Sequence, residues 1–369
     1  MIIKARTLFD GKRFHKDKYI HIRGDTIVNV EDKKGKGEVI NAEFVTPAFI
    51  DAHSHIGMER AGEPSEEGES NEQMDSIVTL TNALDSIYMD DKSFKLSIEN
   101  GILYSCVLPG SGNIIGGKAV IIRNFAKNIK QAYIKDAGIK MAIGYNPRST
   151  TEWKGTRPST RMGVFALLRK AFREVTLELN KKKPELNPEQ EVIRDIIKGK
   201  EKLRVHVHKE DDIYAFLRFA NNYNLKFTFE HTMDVSNADV YRELANKHIP
   251  VIYGPLDSFP YKVELKHEYW RHVKLLKESG VEFGLMSDHP VIMQYTLPLT
   301  LRHFLRTEYT KEEALSILTS KNAKILGLKD LGEIKKGKKA SLLIWSGNMF
   351  DLSNRVVMVI AEGNIVYEE

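Results

Sequence analysis

Six of the twelve histidines stand at the ends of short apolar segments, with acidic residues beside them. They occur in the strings Asp51-Ala-His53-Ser-His55, His206-Val-His208, Glu230-His231 and Ser287-Asp288-His289. Imidazole and carboxylate groups are ligands that suit Zn²⁺, and they also suit Fe²⁺ or Mn²⁺. An open coordination position on such an ion would hold a water molecule and lower its pKa toward neutrality. The pattern therefore predicts a metal centre that activates water.

The competing interpretation is structural. A single histidine at a strand end usually makes an ordinary hydrogen bond, and one His-x-His pair is common on surface strands. The joint order of two His-x-His pairs, a histidine and an aspartate, each closing an apolar segment, is much harder to explain in that way. Within the first segment the two-residue period of a strand places Asp51, His53 and His55 on one face.

These segments belong to a series of eight candidate strands in the middle of the chain, which alternate with amphipathic helices. The predicted strands are Phe49–His53, Ile102–Leu108, Ala119–Arg123, Ile139–Gly144, Arg204–His208, Phe227–His231, Pro250–Gly254 and Glu282–Asp288. Such alternation indicates parallel pairing, and eight strands predict a closed (β/α)₈ barrel. Catalytic residues of these barrels lie at the carboxyl ends of the strands. No helix is evident beside Ala119–Arg123.

Two helix starts carry capping patterns. Asp211 or Asp212 can cap a helix whose apolar residues recur with helical spacing up to Ala220. Thr310 and Glu313 match a capping box, which predicts that a helix begins there. Both ends of the chain, by contrast, consist of short apolar segments with glycine-containing turns and are predicted to be β-structure.

Composition limits the class of protein. The 369 residues include 28% charged ones, and no apolar run approaches the ~20 residues of a membrane helix. The 55 basic and 50 acidic residues are interspersed, which does not indicate nucleic-acid binding. No secretory signal is visible at Met1, and Cys106, the only cysteine, cannot form an internal disulfide. We therefore expect a cytoplasmic homo-oligomer that acts on a small molecule, with neither nucleic acid nor membrane as partner.

Several longer strings resemble the amidohydrolase superfamily. The first-strand string Val45-Thr-Pro-Ala-Phe-Ile-Asp-Ala-His-Ser-His55 resembles the superfamily signature. Other strings resemble its imidazolonepropionase-related branch: Val107-Leu-Pro-Gly-Ser-Gly-Asn-Ile-Ile-Gly-Gly117, Pro158-Ser-Thr-Arg-Met-Gly163, Ser287-Asp-His-Pro290, Asn322-Ala-Lys-Ile-Leu-Gly-Leu328 and Leu331-Gly-Glu-Ile-Lys-Lys-Gly-Lys338. The resemblance implies a distorted TIM barrel over residues 48–332 and a small β-sandwich domain built from residues 1–47 and 333–369.

The resemblance also implies roles for single residues. His53, His55, His206 and His231 match metal ligands, with His231 also able to polarise a carbonyl or a water. Asp288 matches the aspartate that contacts the metal and acts as general base on the water. His208 stands where relatives carry an acid or a second histidine, so its role is open. Lys209 stands where deaminase-type relatives carry a glutamate, which argues against a deaminase that uses such a glutamate as its proton shuttle.

The number of metal ions stays open between one and two. Lys140 resembles the lysine that two-metal relatives carboxylate to bridge their ions. The alternative is a surface lysine near the start of its strand. One ion per chain, most simply zinc, is the default prediction.

The loop after the fourth strand is expected to overhang the barrel mouth and bind substrate. It contains Asn146, Arg148, Trp153, Lys154, Arg157 and Arg161. Arginine forks suit a carboxylate, so an anionic substrate is one interpretation, and a solvated loop is the other. His208 and His289 are further candidates for substrate binding.

Together these features predict a metal-dependent hydrolase that cleaves a C–N bond other than a peptide bond, in a cyclic or linear amide. The first alternative is a prolidase-like dipeptidase with two metal ions and a carboxylated Lys140. The second is a non-catalytic scaffold that keeps the barrel. This alternative is disfavoured because none of the expected metal-ligating residues is missing from the sequence.

Overall fold

The computed structural model describes residues 1–148 and 157–369. The predictions on Trp153 and Lys154 concern residues outside this described part. Within it, fifteen strands follow one another along the chain: β1 (Ile2–Phe9), β2 (Phe14–Arg23), β3 (Thr26–Glu31), β4 (Val39–Pro47), β5 (Phe49–Ser54), β6 (Ile102–Val107), β7 (Ile115–Arg123), β8 (Tyr133–Ala142), β9 (Lys202–Val207), β10 (Lys226–His231), β11 (Val251–Tyr253), β12 (Phe283–Leu285), β13 (Leu342–Trp345), β14 (Val356–Ala361) and β15 (Asn364–Glu368).

The described residues also form ten α-helices: α1 (Lys92–Glu99), α2 (Ile129–Ala132), α3 (Arg161–Leu179), α4 (Pro188–Ile197), α5 (Glu210–Ala220), α6 (Ala238–Asn246), α7 (Val273–Ser279), α8 (Leu301–Leu305), α9 (Lys311–Ser316) and α10 (Asn322–Leu326). A π-helical turn, Ile317–Lys321, joins α9 to α10. None of the helices in this part of the chain combines the length and apolar character that crossing a membrane requires.

Strands from both ends of the chain form one sheet of seven strands, in the order β15-β14-β13-β4-β1-β2-β3. β1 pairs in parallel with β4 and antiparallel with β2. The antiparallel pair of β13 and β4, with Leu342 opposite Pro47, joins the two termini. Apolar residues such as Ile3, Val45 and Ile360 form the core of this sheet. Its arrangement as a sandwich, and domain limits at residues 47 and 333, stay predictions.

The other eight strands, β5 to β12, form a second sheet whose hydrogen-bonded order follows the chain. β12 also packs against β5, so the sheet curls into a nearly closed barrel. Each of the eight predicted strands has its counterpart here, with shifted ends. The predicted α/β barrel of eight strands is therefore confirmed.

The prediction that all eight strands run in parallel is wrong for β7. This strand pairs antiparallel with both β6 and β8. A parallel partner requires a crossover of a dozen or more residues, usually helical, but only residues 108–114 link β6 to β7. In the described residues no helix lies between β6 and β7, because a hairpin connection does not need one, and only the four-residue α2 (Ile129–Ala132) follows β7.

Two helix starts test the predicted caps. At α9 the Thr310 hydroxyl accepts from the Glu313 backbone N–H at 3.1 Å and Glu313 accepts from the Thr310 N–H at 2.8 Å, so the capping box is confirmed. At α5 the predicted aspartate cap is wrong, because the helix already begins at Glu210 and both Asp211 and Asp212 lie in its first turn. Acidic groups there favour the helix through its dipole.

The barrel strands are buried along most of their length, as expected of a sheet covered by helices. Two cationic side chains interrupt this apolar interior. Lys140 of β8 is 0% exposed and Arg204 of β9 is 1% exposed. Basic side chains are almost never fully buried without partners, so both positions call for a specific explanation.

Candidate metal centre

The predicted ligands meet at one end of the barrel. His53 lies near the end of β5 and His231 at the end of β10, and both are fully buried. His55 follows β5 directly, and Asp288 lies in the loop after β12. Because β5 and β9 to β12 run in the same direction around the barrel, their carboxyl ends share one rim. Residues that are far apart in the chain thereby come into contact.

Asp288 lies among three of the histidines. Its Oδ1 is 3.2 Å from His55 Nε2 and 3.4 Å from His53 Nε2. Its Oδ2 is 4.0 Å from His231 Nδ1. The His206 ring lies against the His231 ring, with centroids 4.3 Å apart. The structure therefore brings all five predicted ligands into one cluster.

Oxygen acceptors orient three of these rings through Nδ1. The contacts are His53 Nδ1 with Glu230 Oε2 at 3.0 Å, His55 Nδ1 with the Leu108 carbonyl at 2.7 Å, and His231 Nδ1 with the Gly254 carbonyl at 3.0 Å. A carbonyl or an ionised carboxylate can only accept, so each Nδ1 carries the proton and each Nε2 keeps a lone pair. A lone pair fixed in this way is typical of histidines that bind metal.

Several nitrogens of the cluster are buried and have no hydrogen-bond partner in the described part of the chain. They are Nδ1 and Nε2 of His206, Nδ1 of His208 and Nε2 of His231. An unpaired buried polar atom costs about 1–3 kcal/mol, which coordination to a cation would relieve. Burial also lowers the pKa of His208 to about 4 and that of His206 well below its ordinary value, so both are neutral as metal ligands must be.

The positions of the ligand atoms agree with this chemistry. Two sets of three residues bring ligand atoms within 4.8 Å of one another: His206, His208 and His231, and His53, His231 and Asp288. Nitrogen and carboxylate oxygen are donors that divalent transition metals accept. The buried cluster therefore fits a site for a divalent metal ion.

Lys140 belongs to the same cluster, so its alternative interpretation as a surface lysine is wrong. Its Nζ lies 3.2 Å from His53 Nε2. The reason is that β8 begins at Tyr133, well before the predicted Ile139. Lys140 therefore lies near the carboxyl end of the strand, on the rim where the histidines meet. Burial lowers the pKa of Lys140 to about 8, so about a tenth of its amine is neutral at pH 7, far more than for an ordinary lysine.

Asp288 is ionised in this environment. Burial alone would raise its pKa, but His231, His55 and His53 together hold the pKa of this carboxyl well below its usual range. Its backbone has a positive φ of 51°, which is uncommon for a residue with a side chain. The Asp288 N–H donates to the His53 carbonyl at 3.0 Å, and this bond helps to hold the strained conformation.

A buried ion pair behind His53 was not predicted from the sequence. The Arg204 guanidinium donates to Glu230 Oε1 at 2.7 Å and to Oε2 at 3.2 Å, and Glu230 is 0% exposed. The same Oε2 accepts from His53 Nδ1. Arg204 thereby holds the carboxylate that orients His53. The signal in the sequence was two charged residues inside otherwise apolar strands.

The prediction that Asp51 shares one face with His53 and His55 is wrong, because the regular pairing of β5 is interrupted between Asp51 and Ser54 and the Asp51 carboxylate does not face the histidines. It accepts from the Ser287 backbone N–H at 3.0 Å, from the Ser287 hydroxyl, and from Gln294 Nε2 at 2.8 Å. Ser287 precedes Asp288, so Asp51 anchors the loop that carries it. Burial raises the pKa of Asp51 to about 6 although these donors oppose the shift.

The residues predicted to bind substrate have different surroundings. Asn146 donates to the Ser111 hydroxyl at 2.5 Å, and the Arg148 guanidinium lies 5.1 Å from the centre of the Tyr145 ring. Arg161 donates to Asp212 at 2.5 Å, so this carboxylate already occupies its guanidinium. Substrate roles for these residues stay predictions.

His208 and His289 lie close to the cluster. The His208 and His231 rings have centroids 4.8 Å apart. His289 is 1% exposed, its Nδ1 accepts from the Gln294 N–H at 3.3 Å, and its Nε2 has no partner in the described residues. A further carboxylate, Glu264, reaches His206 and His208 from the loop after β11 and was also missed.

Comparison with known proteins agrees with this geometry. The profile of the Amidohydrolase family matches residues 165–366. An amidohydrolase from Thermotoga maritima MSB8 has a crystal structure that superposes with a TM-score of 0.92 at 32% sequence identity, over 100% of both chains. A prolidase complexed with N-methylphosphonate-L-proline superposes with a TM-score of 0.65 at 15% identity, over 100% of this chain and 99% of the prolidase, which shows a shared fold.

One curated relative is amidohydrolase tasK of Hapsidospora irregularis, which is 23% identical over 360 residues. The match covers 88% of this chain but only 36% of that protein. The family profile covers more than half of the chain, and the Thermotoga structure matches it throughout. The chain therefore belongs to the Amidohydrolase family.

Proposed function

We propose that the chain is a metal-dependent hydrolase that cleaves an amide C–N bond. The observation that carries the proposal is the buried cluster of His53, His55, His206, His231 and Asp288, in which ring nitrogens of His206 and His231 have no hydrogen-bond partner among the described residues. A scaffold without catalysis would not need to retain these uncompensated groups, because each one destabilises the fold.

The chain's own residues divide the work. A divalent ion held by the histidines and Asp288, most simply zinc with Fe²⁺ or Mn²⁺ as alternatives, would polarise the scissile carbonyl and lower the pKa of water. Asp288, which is ionised, takes a proton from the attacking water at a carboxylate oxygen and passes it to the leaving nitrogen. Glu230 keeps the proton of His53 on Nδ1, so the lone pair of Nε2 is directed at the cluster, where Lys140 Nζ lies 3.2 Å away.

The position of Lys140 favours two ions over the single ion that the sequence suggested. Its amine is fully buried and lies 3.2 Å from His53 Nε2. A neutral amine can add CO₂ and release a proton to form a carbamate, which replaces a cation in the cluster by an anion. An anion at this position would balance the charge of a second divalent ion. This arrangement favours the second candidate, a two-metal enzyme of the dipeptidase kind.

Other proposals rest on the sequence alone. The motif set supports assignment to the imidazolonepropionase-related branch, and the absence of a glutamate at Lys209 supports an amide hydrolase over a deaminase. We also retain a small-molecule substrate, a cytoplasmic location and a homo-oligomer as proposals. Arg148 is the better candidate for an anionic substrate group, since Arg161 pairs with Asp212.

The test is metal content combined with turnover. Zinc-loaded protein is assayed against a panel of N-acyl amino acids, dipeptides and cyclic amides, together with Asp288→Asn and the control Asp330→Asn at an exposed position. Asp288→Asn should keep most of its metal and lose about 100-fold or more in kcat/KM, which is typical of a lost general base. Equal turnover by both variants on every hydrolysed substrate would contradict the proposal.

A further inference from the structure

Glu264 is a buried carboxylate with one satisfied oxygen and one free oxygen. It lies in the short 3-10 turn Val263–Leu265, in the loop after β11, and is 3% exposed. Its Oε2 accepts from the Tyr145 backbone N–H at 2.9 Å. Its Oε1 is buried and has no hydrogen-bond partner in the part of the chain that the structure describes.

The free oxygen faces the metal cluster. Glu264 Oε1 lies 3.7 Å from His206 Nε2 and 4.0 Å from His208 Nε2. These separations are too long for hydrogen bonds, so the carboxylate borders the cluster without being bound by it. Neutral histidine rings do not compensate a carboxylate charge, and Glu264 belongs to neither of the two sets of three residues whose ligand atoms lie within 4.8 Å of one another.

The neighbouring carboxylate of Asp212 differs from that of Glu264 in having a cationic partner. Gly144 has a φ of +86°, and a Cβ there would lie 2.9 Å from Glu264 Oε2 and 3.3 Å from Asp212 Oδ2, so the glycine lets both carboxylates approach the same turn. Asp212 has a cationic partner, because Arg161 donates to it.

No lysine or arginine of the described residues lies within 4.0 Å of the Glu264 carboxylate. Two basic residues are equally near in sequence: Lys262, whose ammonium lies 5.1 Å from the centre of the Tyr261 ring, and Lys266, which is exposed. A buried carboxylate without a cationic partner is costly, which points to a partner that arrives from outside.

We propose that Glu264 Oε1 binds a cationic nitrogen group of the substrate, an ammonium or a guanidinium, next to the amide that is hydrolysed. This inference rests on the proposed function, since it names the charge of that enzyme's substrate. A charge-assisted hydrogen bond to a buried carboxylate is stronger than a neutral one and gives selectivity for the cation. Glu264 is thus a substrate-recognition residue, in addition to the metal ligands.

The experiment compares substrates that differ only in charge. Metal-loaded protein is given alanyl-arginine and alanyl-citrulline, arginyl-alanine and citrullinyl-alanine, and alanyl-alanine with a free or an acetylated amino terminus. The three pairs distinguish a side-chain cation on either side of the amide from the α-ammonium group. In at least one pair the cationic member should be preferred by about tenfold to a hundredfold in kcat/KM, which corresponds to about 1.4 kcal/mol per tenfold.

Three variants locate the preference. Glu264→Gln keeps the shape and an oxygen for the Tyr145 N–H, so it should fold, retain its metal and lose the charge preference through a higher KM for the cationic member. Glu264→Asp, which keeps the charge on a shorter side chain, should restore part of the preference. Glu278→Gln, at an exposed position on α7, should behave like the wild type.

Binding separates this inference from the proposed function. Calorimetry with arginine and with citrulline measures the same selectivity without turnover, so a protein that hydrolyses nothing in the panel still tests Glu264. The inference is overturned if no cationic probe is preferred in binding or in turnover. It is also overturned if Glu264→Gln loses metal and weakens all substrates equally, because Glu264 would then act as an acceptor that orients His206.

Discussion

Replacing Arg204 with methionine should destabilise the protein strongly, because it leaves a charge unpaired inside the barrel. Arg204 makes three hydrogen bonds, two to Glu230 and one of 2.8 Å to the Ala52 carbonyl. Methionine fills a similar volume but donates nothing. Breaking one partner of a buried ion pair costs about 3–5 kcal/mol, which is a large part of the 5–15 kcal/mol stability of a typical protein.

The loss of stability in Arg204→Met should depend on pH in a definite direction. In the wild type, burial alone would raise the pKa of Glu230, but Arg204 and His53 hold it well below its ordinary value. Its contribution to stability is therefore present above the unfolded pKa of about 4.3 and is lost as the pH falls through the folded pKa. Without Arg204 the folded pKa of Glu230 rises, so the difference in stability between variant and wild type should shrink in acid as this carboxyl takes up a proton.

The assay is urea unfolding of metal-free protein, followed by circular dichroism at pH 7 and pH 5. Arg6→Met is the matched control, because Arg6 pairs with Glu43 at 3.0 Å but is 72% exposed, and exposed pairs contribute little. The double variant Arg204→Met with Glu230→Gln should recover part of the loss, since no charge is then left unpaired. Zinc affinity should fall about 10–100-fold in Arg204→Met, because the partner that orients His53 is disturbed. An unfolding free energy and a zinc affinity close to those of the wild type would refute the reasoning.

Three further predictions concern separate parts of the molecule. Lys140→Met should lower bound zinc to at most one ion per chain after loading with bicarbonate, by metal analysis, whereas the exposed Lys95→Met should match the wild type; equal content in both variants would contradict a bridging Lys140. Asp51→Asn should remove a pH dependence of stability. In the wild type the raised folded pKa of about 6 means that the protonated Asp51 stabilises the fold most below about pH 3.9, and about 3 kcal/mol of this stabilisation is lost as the pH rises through 6. Unfolding free energies of variant and wild type, measured at several pH values, should therefore diverge between about pH 3.9 and 6. Deletion of residues 340–369 removes β13 to β15 from the terminal sheet and should cause aggregation in size-exclusion chromatography; a soluble and fully active truncation would contradict the shared sheet.

The cluster of candidate metal ligands could be predicted because its signal is local. Each histidine or aspartate closes an apolar segment, and the rule that barrel strands present their carboxyl ends on one rim then brings them together. Predicting that these residues lie together did not depend on any measured distance. They are His53, His55, His206, His231 and Asp288. The eight strands could be predicted for the same reason, since each is a short apolar run.

The remaining features depend on packing between distant segments. The sequence does not show which strand faces which, so the antiparallel β7 became visible only from its short connection to β6. β8 begins six residues earlier than predicted, and this places Lys140 at the carboxyl end of the strand, within the cluster. Arg204, Glu230 and Glu264 gain their roles from contacts across the barrel, and a charged residue in an apolar strand signals only that some partner is needed.

The most direct test of the central claim is a crystal structure of zinc-loaded protein with anomalous diffraction measured at the zinc edge. The account predicts at least one strong peak among His53, His55, His206, His231 and Asp288, at about 2.0–2.2 Å from the ligating atoms, with a second peak bridged by Lys140 if the site holds two ions. Fully loaded crystals with no peak at this cluster, or with the zinc bound elsewhere, would contradict it.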